Sequence, residues 1–148
     1  MSHSPFAVLV QAVLKASIDG CPQHELVLPV IPTPQYLLEF GFPPLEIAVT
    51  GRVVDKAHFD HGITKGVLER LPSLLEKPQA LYASATVASG AVVATFELKG
   101  AEVIVIPLHP ERPFGRDTKY NAVASVYAKP ADILGKWDAQ GLRRWPQK

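Results

Sequence analysis

Two apolar runs separated by four residues, Ala91–Leu98 (AVVATFEL) and Val103–Leu108 (VIVIPL), constrain this chain most. Both are rich in β-branched residues, and Lys99-Gly100 between them is a hairpin-like turn, so they read as neighbouring antiparallel strands. The near-continuous apolarity of VIVI leaves no side of that strand to give to water, which predicts a central strand buried on both faces. Ala80–Ser84 reads as a further strand. Ala122–Tyr127 (AVASVY) reads as the last one, with Ser125 and Tyr127 on one face, Ala122, Ala124 and Val126 on the other, and Lys129 continuing the Ser125 side. Pro107 and Pro110 are expected to end the VIVIPL strand, leaving Glu111–Tyr120 as a polar loop.

A cover for this sheet is legible in Lys56–Leu75 (KAHFDHGITKGVLERLPSLL). Thr64, Val67, Leu68, Leu71, Leu74 and Leu75 recur at spacings of three and four with charged residues between them, the pattern of a helix with one packed and one wet face. His58 and His61 fall on the loop or first turn ahead of it, where an imidazole is accessible and titrates near neutral pH. Upstream, Phe6–Leu14 is a strand or a short helix, since so short an apolar run fits both. Glu25–Ile31 carries Pro29 and is therefore an edge strand, with a hairpin between these two runs as one outcome. Thr33 is placed to cap a short helix over Gln35–Phe40 that ends at Gly41, and Leu45–Val49 is extended. The sum is an α+β layout, a helix packed on a mostly antiparallel sheet of four or more strands. One domain is expected over 1–148, with its core at about 33–130 and a basic, aromatic tail at 131–148.

The balance of 15 basic and 14 acidic residues, net +1, gives no global attraction for nucleic acid, so any such binding must come from a local patch. The densest cluster is Arg112, Arg116 and Lys119; the tail adds Trp137, Arg143, Arg144 and Trp145, suited to stacking on bases or to docking on the protein's own sheet. The single cysteine, Cys21, allows neither an intrachain disulfide nor a cysteine-rich metal site and fits a reducing cytoplasm. No stretch approaches a membrane span, and the apolar N-terminal run lacks the basic flank and cleavage site of an export signal. The chain has no glycine-rich phosphate loop, no GxSxG elbow and no paired carboxylates, which disfavours nucleotide hydrolysis and serine hydrolase chemistry. His58 and His61 with Asp55 or Asp60 make a poor zinc set, and no metal or cofactor is expected. His3, His24 and His109 read as structural or exposed.

What remains is one constellation: Lys56, His58 and His61 ahead of the helix, and Asn121, Ser125, Tyr127 and Lys129 on the last strand. Metal-free RNA cleavage needs a group to take the 2'-hydroxyl proton, a group to protonate the leaving oxygen, and cations to hold the phosphate. These residues supply all three. Solvated loop histidines and ordinary surface positions of an edge strand are the plainer reading of the same residues.

Four segments, TPQYLLEFG, LEIAVTGRVVDKAHFDHGITKGVLERLPSLLEKPQALYAS, VVATFELKGAEVIVIPL and YNAVASVYAK, occur in an order that resembles the phage- and mobile-element-associated branch of the barnase, EndoU, colicin and RelE-like ribonuclease superfamily. The resemblance covers roughly Thr33 to Lys129. It implies a helix on a four-stranded antiparallel sheet and a toxin-like, metal-independent endoribonuclease. His61 would match the histidine ahead of the ITKGVLERLP helix, as general acid or base. Asn121, Ser125, Tyr127 and Lys129 would match the asparagine-to-lysine segment, and Lys56 the upstream lysine. His58, Arg112, Arg116, Lys119 and Asn121 would contact substrate. RNA is the implied partner, with an antitoxin or immunity protein as a second, and neither a membrane nor specific DNA is expected. Ala128 departs from the pattern, where glycine or a more polar residue often precedes the lysine. A non-catalytic RNA- or protein-binding module of the same fold, and a transferase using a nucleotide-type cofactor, are the rival readings.

Overall fold

The computed structural model describes residues 5–115 and 117–146, and Arg116 and His3, both named above, lie outside them. In chain order the elements are α1 (Pro5–Ile18), β1 (Val27–Pro32), α2 (Gln35–Phe40), β2 (Glu46–Thr50), α3 (Gly51–Asp55), a π-helical turn (Lys56–Asp60), α4 (Lys65–Glu69), α5 (Leu71–Glu76), β3 (Ala80–Ala83), β4 (Ala91–Lys99), β5 (Glu102–Pro113), β6 (Lys119–Val123), β7 (Tyr127–Pro130), α6 (Ile133–Ala139) and β8 (Arg143–Trp145). The architecture is α+β. Among the described residues eight strands form one sheet in the order β1-β2-β6-β5-β4-β3-β8, with β7 also paired to β5. All pairings are antiparallel except β2 with β6.

Alternation along β5 builds two cores. Ile104, Ile106 and Leu108 face a large cluster with Val10, Val13, Leu37, Val54, Leu68, Leu71 and Leu75 from the helices; Val103 and Val105 face a smaller one with Tyr82, Val92, Tyr127, Ile133, Leu134 and Trp137. The expected central strand, buried on both faces, is thus β5, whose Val103 to Ile106 are at most 2% exposed. Phe6–Leu14 belongs to a helix, so no hairpin joins it to β1. Pro29 sits on β1, an edge strand as expected, at an irregularity in its pairing with β2.

The amphipathic segment departs from a single helix. Arg70 leaves helical geometry between α4 and α5 because Pro72, at the start of α5, has no N–H to continue the ladder. Val67, Leu68, Leu71 and Leu75 are buried as the spacing predicts, whereas Thr64 is exposed and caps α4, its Oγ accepting from the Val67 N–H at 3.3 Å. The chain upstream is also helical: Thr50 caps α3, and Gly51 lies so close to the backbone of Gln23 that a Cβ there would sit 1.9 Å from its carbonyl oxygen. Thr33 is no helix cap. Pro34 holds that position, and the Thr33 hydroxyl instead donates to the Leu45 carbonyl at 2.5 Å.

Prolines also rearrange the far side of the sheet. Pro107 and Pro110 do not end β5, which continues to Pro113 and hairpins with β6, so half of the expected polar loop is strand. Pro107 keeps its place beside Val92 of β4, and its carbonyl accepts from the Ala124 N–H at 2.9 Å. A strand residue points its N–H and C=O to the same neighbour, so the missing N–H of Pro107 faces the chain at Ala124. The ladder fails there, and the expected strand over Ala122–Tyr127 splits into β6 and β7 with 124–126 between them.

The tail docks. β8 pairs with β3, the Trp145 ring lies 5.4 Å from that of Tyr36, and Trp137 lies 5.2 Å from Tyr82. Arg143 forks onto Asp138, its Nε donating at 2.6 Å and an Nη at 2.9 Å. Trp137→Ala is expected to cost about 2 kcal/mol, less than the roughly 3–5 of a fully buried aromatic because Trp137 is half-buried; an unchanged denaturant midpoint would show that the Trp137 contact contributes nothing to the fold.

Burial pushes the phenols of Tyr36, Tyr82 and Tyr127 above the ordinary 10.0, with the Asp138 carboxylate adding to the effect at Tyr82. Below pH 10 these phenols are neutral whether the chain is folded or not. As pH rises past 10 the unfolded chain releases its protons first, so stability present at neutral pH is lost progressively. The expected denaturant midpoint is flat up to about pH 10 and falls beyond it. Tyr36→Phe should lose about 1 kcal/mol at neutral pH, with its hydrogen bond to the Leu75 carbonyl, yet show a shallower alkaline fall. An equal slope in both proteins would assign the alkaline loss elsewhere.

Candidate functional site

The π-helical turn sets the position of both histidines. The His61 N–H reaches back to the Lys56 carbonyl at 3.1 Å and the Ile63 N–H to that of Ala57 at 2.9 Å, while Gly62 takes φ +68°. This is a glycine-terminated helix end, in which a left-handed residue lets the chain reverse at once. His61 is therefore the last residue before the reversal, half-buried at the helix end rather than on a free loop. His58 lies within the turn. Its Nδ1 is 2.8 Å from the Ile63 carbonyl, which only accepts, so that nitrogen carries a proton and Nε2 is the one left to accept in the neutral ring. The ring also packs edge-on to Phe59 at 4.9 Å. His58 thereby closes the loop that carries His61.

β7 brings the second half of the site. Tyr127 and Lys129 alternate with Ala128 and pair with Val105 and Val103, so they share one face of the strand. The His61 and Tyr127 ring centroids are 6.2 Å apart, and Lys129 Nζ stands 5.4 Å from the Tyr127 ring centroid, a cation over a π face. Burial raises the Tyr127 phenol above its usual range, so at neutral pH it is a proton donor. Lys99 joins this group without having been singled out in the sequence. Its Cε and Nζ lie 3.1 and 3.7 Å from where a Cβ of Gly62 would stand, next to His61. The Lys99-Gly100 turn was legible, but that its lysine meets the His61 loop depends on how the hairpin lies against that loop. Neither Lys99 nor Lys129 makes an ion pair with a described residue.

The other expected site residues lie elsewhere. Lys56 is exposed and lines a cleft with His24, Arg52, Asp55, Phe59 and Asp60. Asp55 turns inward, accepting from the Ser17 hydroxyl at 2.5 Å and standing 3.3 Å from His24 Nε2. Ser125 sits in the 124–126 break between β6 and β7, and its hydroxyl bonds to no described residue. Asn121 is fully buried. Its amide donates to Thr33 Oγ at 2.7 Å and to the Pro43 carbonyl at 2.9 Å, and its oxygen accepts from the Glu111 N–H at 3.1 Å. That N–H belongs to a bulge in β5, between His109 and Arg112, where Glu111 takes φ +52° and cannot use the ladder. Asn121 thus ties β6, the bulge and the 33–43 segment together, away from solvent.

Arg112 and Lys119 lie at the far end of the β5–β6 hairpin. Arg112 is seven positions from Val105 along β5, roughly 23 Å at about 3.3 Å per residue. That separation keeps Arg112 away from the part of β5 that pairs with Tyr127. Lys119 is 3.7 Å from Glu111, and burial, helped by the charge of Arg112, lowers the pKa of His109. Among the described residues no three histidine, cysteine, aspartate or glutamate side chains converge as metal ligands, and no helix is long and apolar enough to cross a membrane.

None of the curated proteins and none of the solved structures matches the chain. A family model does: residues 52–148 match the phage MuF-C-terminal domain, a span that begins at α3 and takes in the His61 loop, Lys99 and β7. That span is well over half of the 148 residues, and it makes this a phage-associated protein that belongs to the MuF-C-terminal domain family.

Proposed function

We propose that the protein is a metal-independent endoribonuclease of the barnase, EndoU, colicin and RelE-like type, acting as a phage-associated toxin-like effector. The observation that carries this reading is the meeting of an imidazole, a protonated phenol and an ammonium group, His61, Tyr127 and Lys129, from segments 66 residues apart (127 − 61). His61 takes the proton of a ribose 2'-hydroxyl as its oxygen bonds to the adjacent phosphorus. The bond from phosphorus to the 5'-oxygen breaks, and the Tyr127 phenol protonates that leaving oxygen, giving a cyclic phosphate and a 5'-hydroxyl end. Lys129 neutralises the charge that gathers on the phosphoryl oxygens. Asn121 supports the site at a distance by fixing the start of the segment that leads to β7.

Every role is filled by a side chain, so cleavage of total cellular RNA is expected to persist in excess chelator. Cleavage that stops in chelator and returns with a divalent ion would sink the mechanism. RNA bound without fragments would favour a binding module, and a mass gain on a target supplied with a dinucleotide would favour a transferase.

A further inference from the structure

The end of β4 leaves two large apolar side chains in water: Phe96 is 69% exposed and Leu98 63%. Scattered apolar residues are ordinary on a protein surface. Here both sit within three residues of Lys99, and the strand is built to hold them out. Between the pairs Ala94 with Val105 and Leu98 with Val103, β4 has three residues where β5 has one. The extra length is absorbed locally: the Thr95 hydroxyl donates to the Ile104 carbonyl at 2.8 Å and accepts from the Glu97 N–H at 3.1 Å. Glu97 is then clamped by Arg70 at the junction of α4 and α5. Phe96, between two anchored residues, projects from a fixed backbone. Leu98 and Lys99 line a small crevice with Gly62, Ile63, Thr64 and Ile104, which joins this tip to the His61 loop.

The patch offers an exposed aromatic ring three residues from Lys99, with Lys129 across Val103 from Leu98, and neither lysine has an anionic partner among the described residues. Such a pairing complements a nucleic acid strand whose bases are free to stack and whose phosphates need neutralising. A duplex hides its base faces, so an exposed ring distinguishes the two forms. We infer that the β4 tip selects single-stranded RNA, Phe96 stacking on an unpaired base while Lys99 holds a neighbouring phosphate beside His61. This rests on the ribonuclease reading of the same site and adds to it the form of RNA that is taken.

Binding can be measured apart from cleavage with a short fluorescent 2'-O-methyl oligoribonucleotide, which has no attacking hydroxyl, alone and annealed to its complement. The wild-type protein is expected to bind the single strand at least about tenfold more tightly than the duplex, and Phe96→Ala to lose about tenfold on the single strand, within the range for one stacked base, and little on the duplex. Lys99→Gln is expected to weaken both and to flatten the dependence on salt. Both residues are exposed, so unchanged melting of the variants is expected and serves as the folding control. Wild-type protein that shows no preference for the single strand, or Phe96→Ala that binds it as wild type does, overturns the inference. If Phe96→Ala changes only the molecular mass in solution, the patch is a contact between copies of the chain and the inference is likewise overturned. Failure of the wild-type protein to cleave unmodified RNA would remove the ribonuclease reading and leave this result standing on its own.

Discussion

His61→Ala is expected to reduce RNA cleavage by at least roughly a hundredfold, the usual scale for removing a general acid or base, while shifting the melting temperature little. The second half of that statement follows from where the residue sits. The turn at 61–63 is held by the Ile63 N–H on the Ala57 carbonyl, by Gly62 and by the His58 imidazole, none of which uses the His61 side chain. His61→Gln, which keeps a polar group of similar reach but cannot exchange a proton near pH 7, is expected to be as inactive as alanine. Three results can be told apart when melting and cleavage are measured on one preparation. Loss of cleavage alone supports proton transfer. Loss of both means the imidazole, through its contact with Tyr127, supports the fold. Wild-type cleavage by both variants would take His61 out of the mechanism and turn attention to His58, the other imidazole of the turn.

Asn121→Leu has the largest effect expected on stability, a loss of about 2–4 kcal/mol, because it strips partners from a bulge N–H, a hydroxyl and a carbonyl in one step. Its size is close to that of asparagine, so the cost arises from unpaired polar groups more than from a cavity. Adding Thr33→Val removes one of the stranded groups and should recover part of the loss, a coupling that a double-mutant cycle reads directly. Cleavage per folded molecule is expected to survive, since Asn121 is closed to solvent. If Asn121→Leu melts like the wild type but no longer binds RNA, the residue belongs to recognition and not to the scaffold.

How far the sequence reached depended on whether the governing interaction was local. The hairpin at Lys99-Gly100, the doubly buried VIVI strand, the edge strand marked by Pro29 and the buried positions of the Val67–Leu75 segment all follow from periodicity or from a missing N–H, and each reads directly from a few neighbouring residues. The break at Arg70 was equally local and turns on Pro72. The split of the last strand was not: it arises because Pro107, fifteen or more residues earlier, presents no N–H to the chain passing beside it. Ser125 and Asn121 were placed by alternation along a strand that Pro107 interrupts and that the bulge at Glu111 draws on for a side-chain partner. Lys99 was overlooked for the same kind of reason, since nothing near it in sequence says that it meets Gly62. Local patterning carried the α+β class and the buried central strand, and it offered a histidine, a tyrosine and a lysine as candidates for one site. Only the tertiary structure decided which of them meet, because strand pairing and helix reversal join residues whose separation along the chain carries no signal of their separation in space.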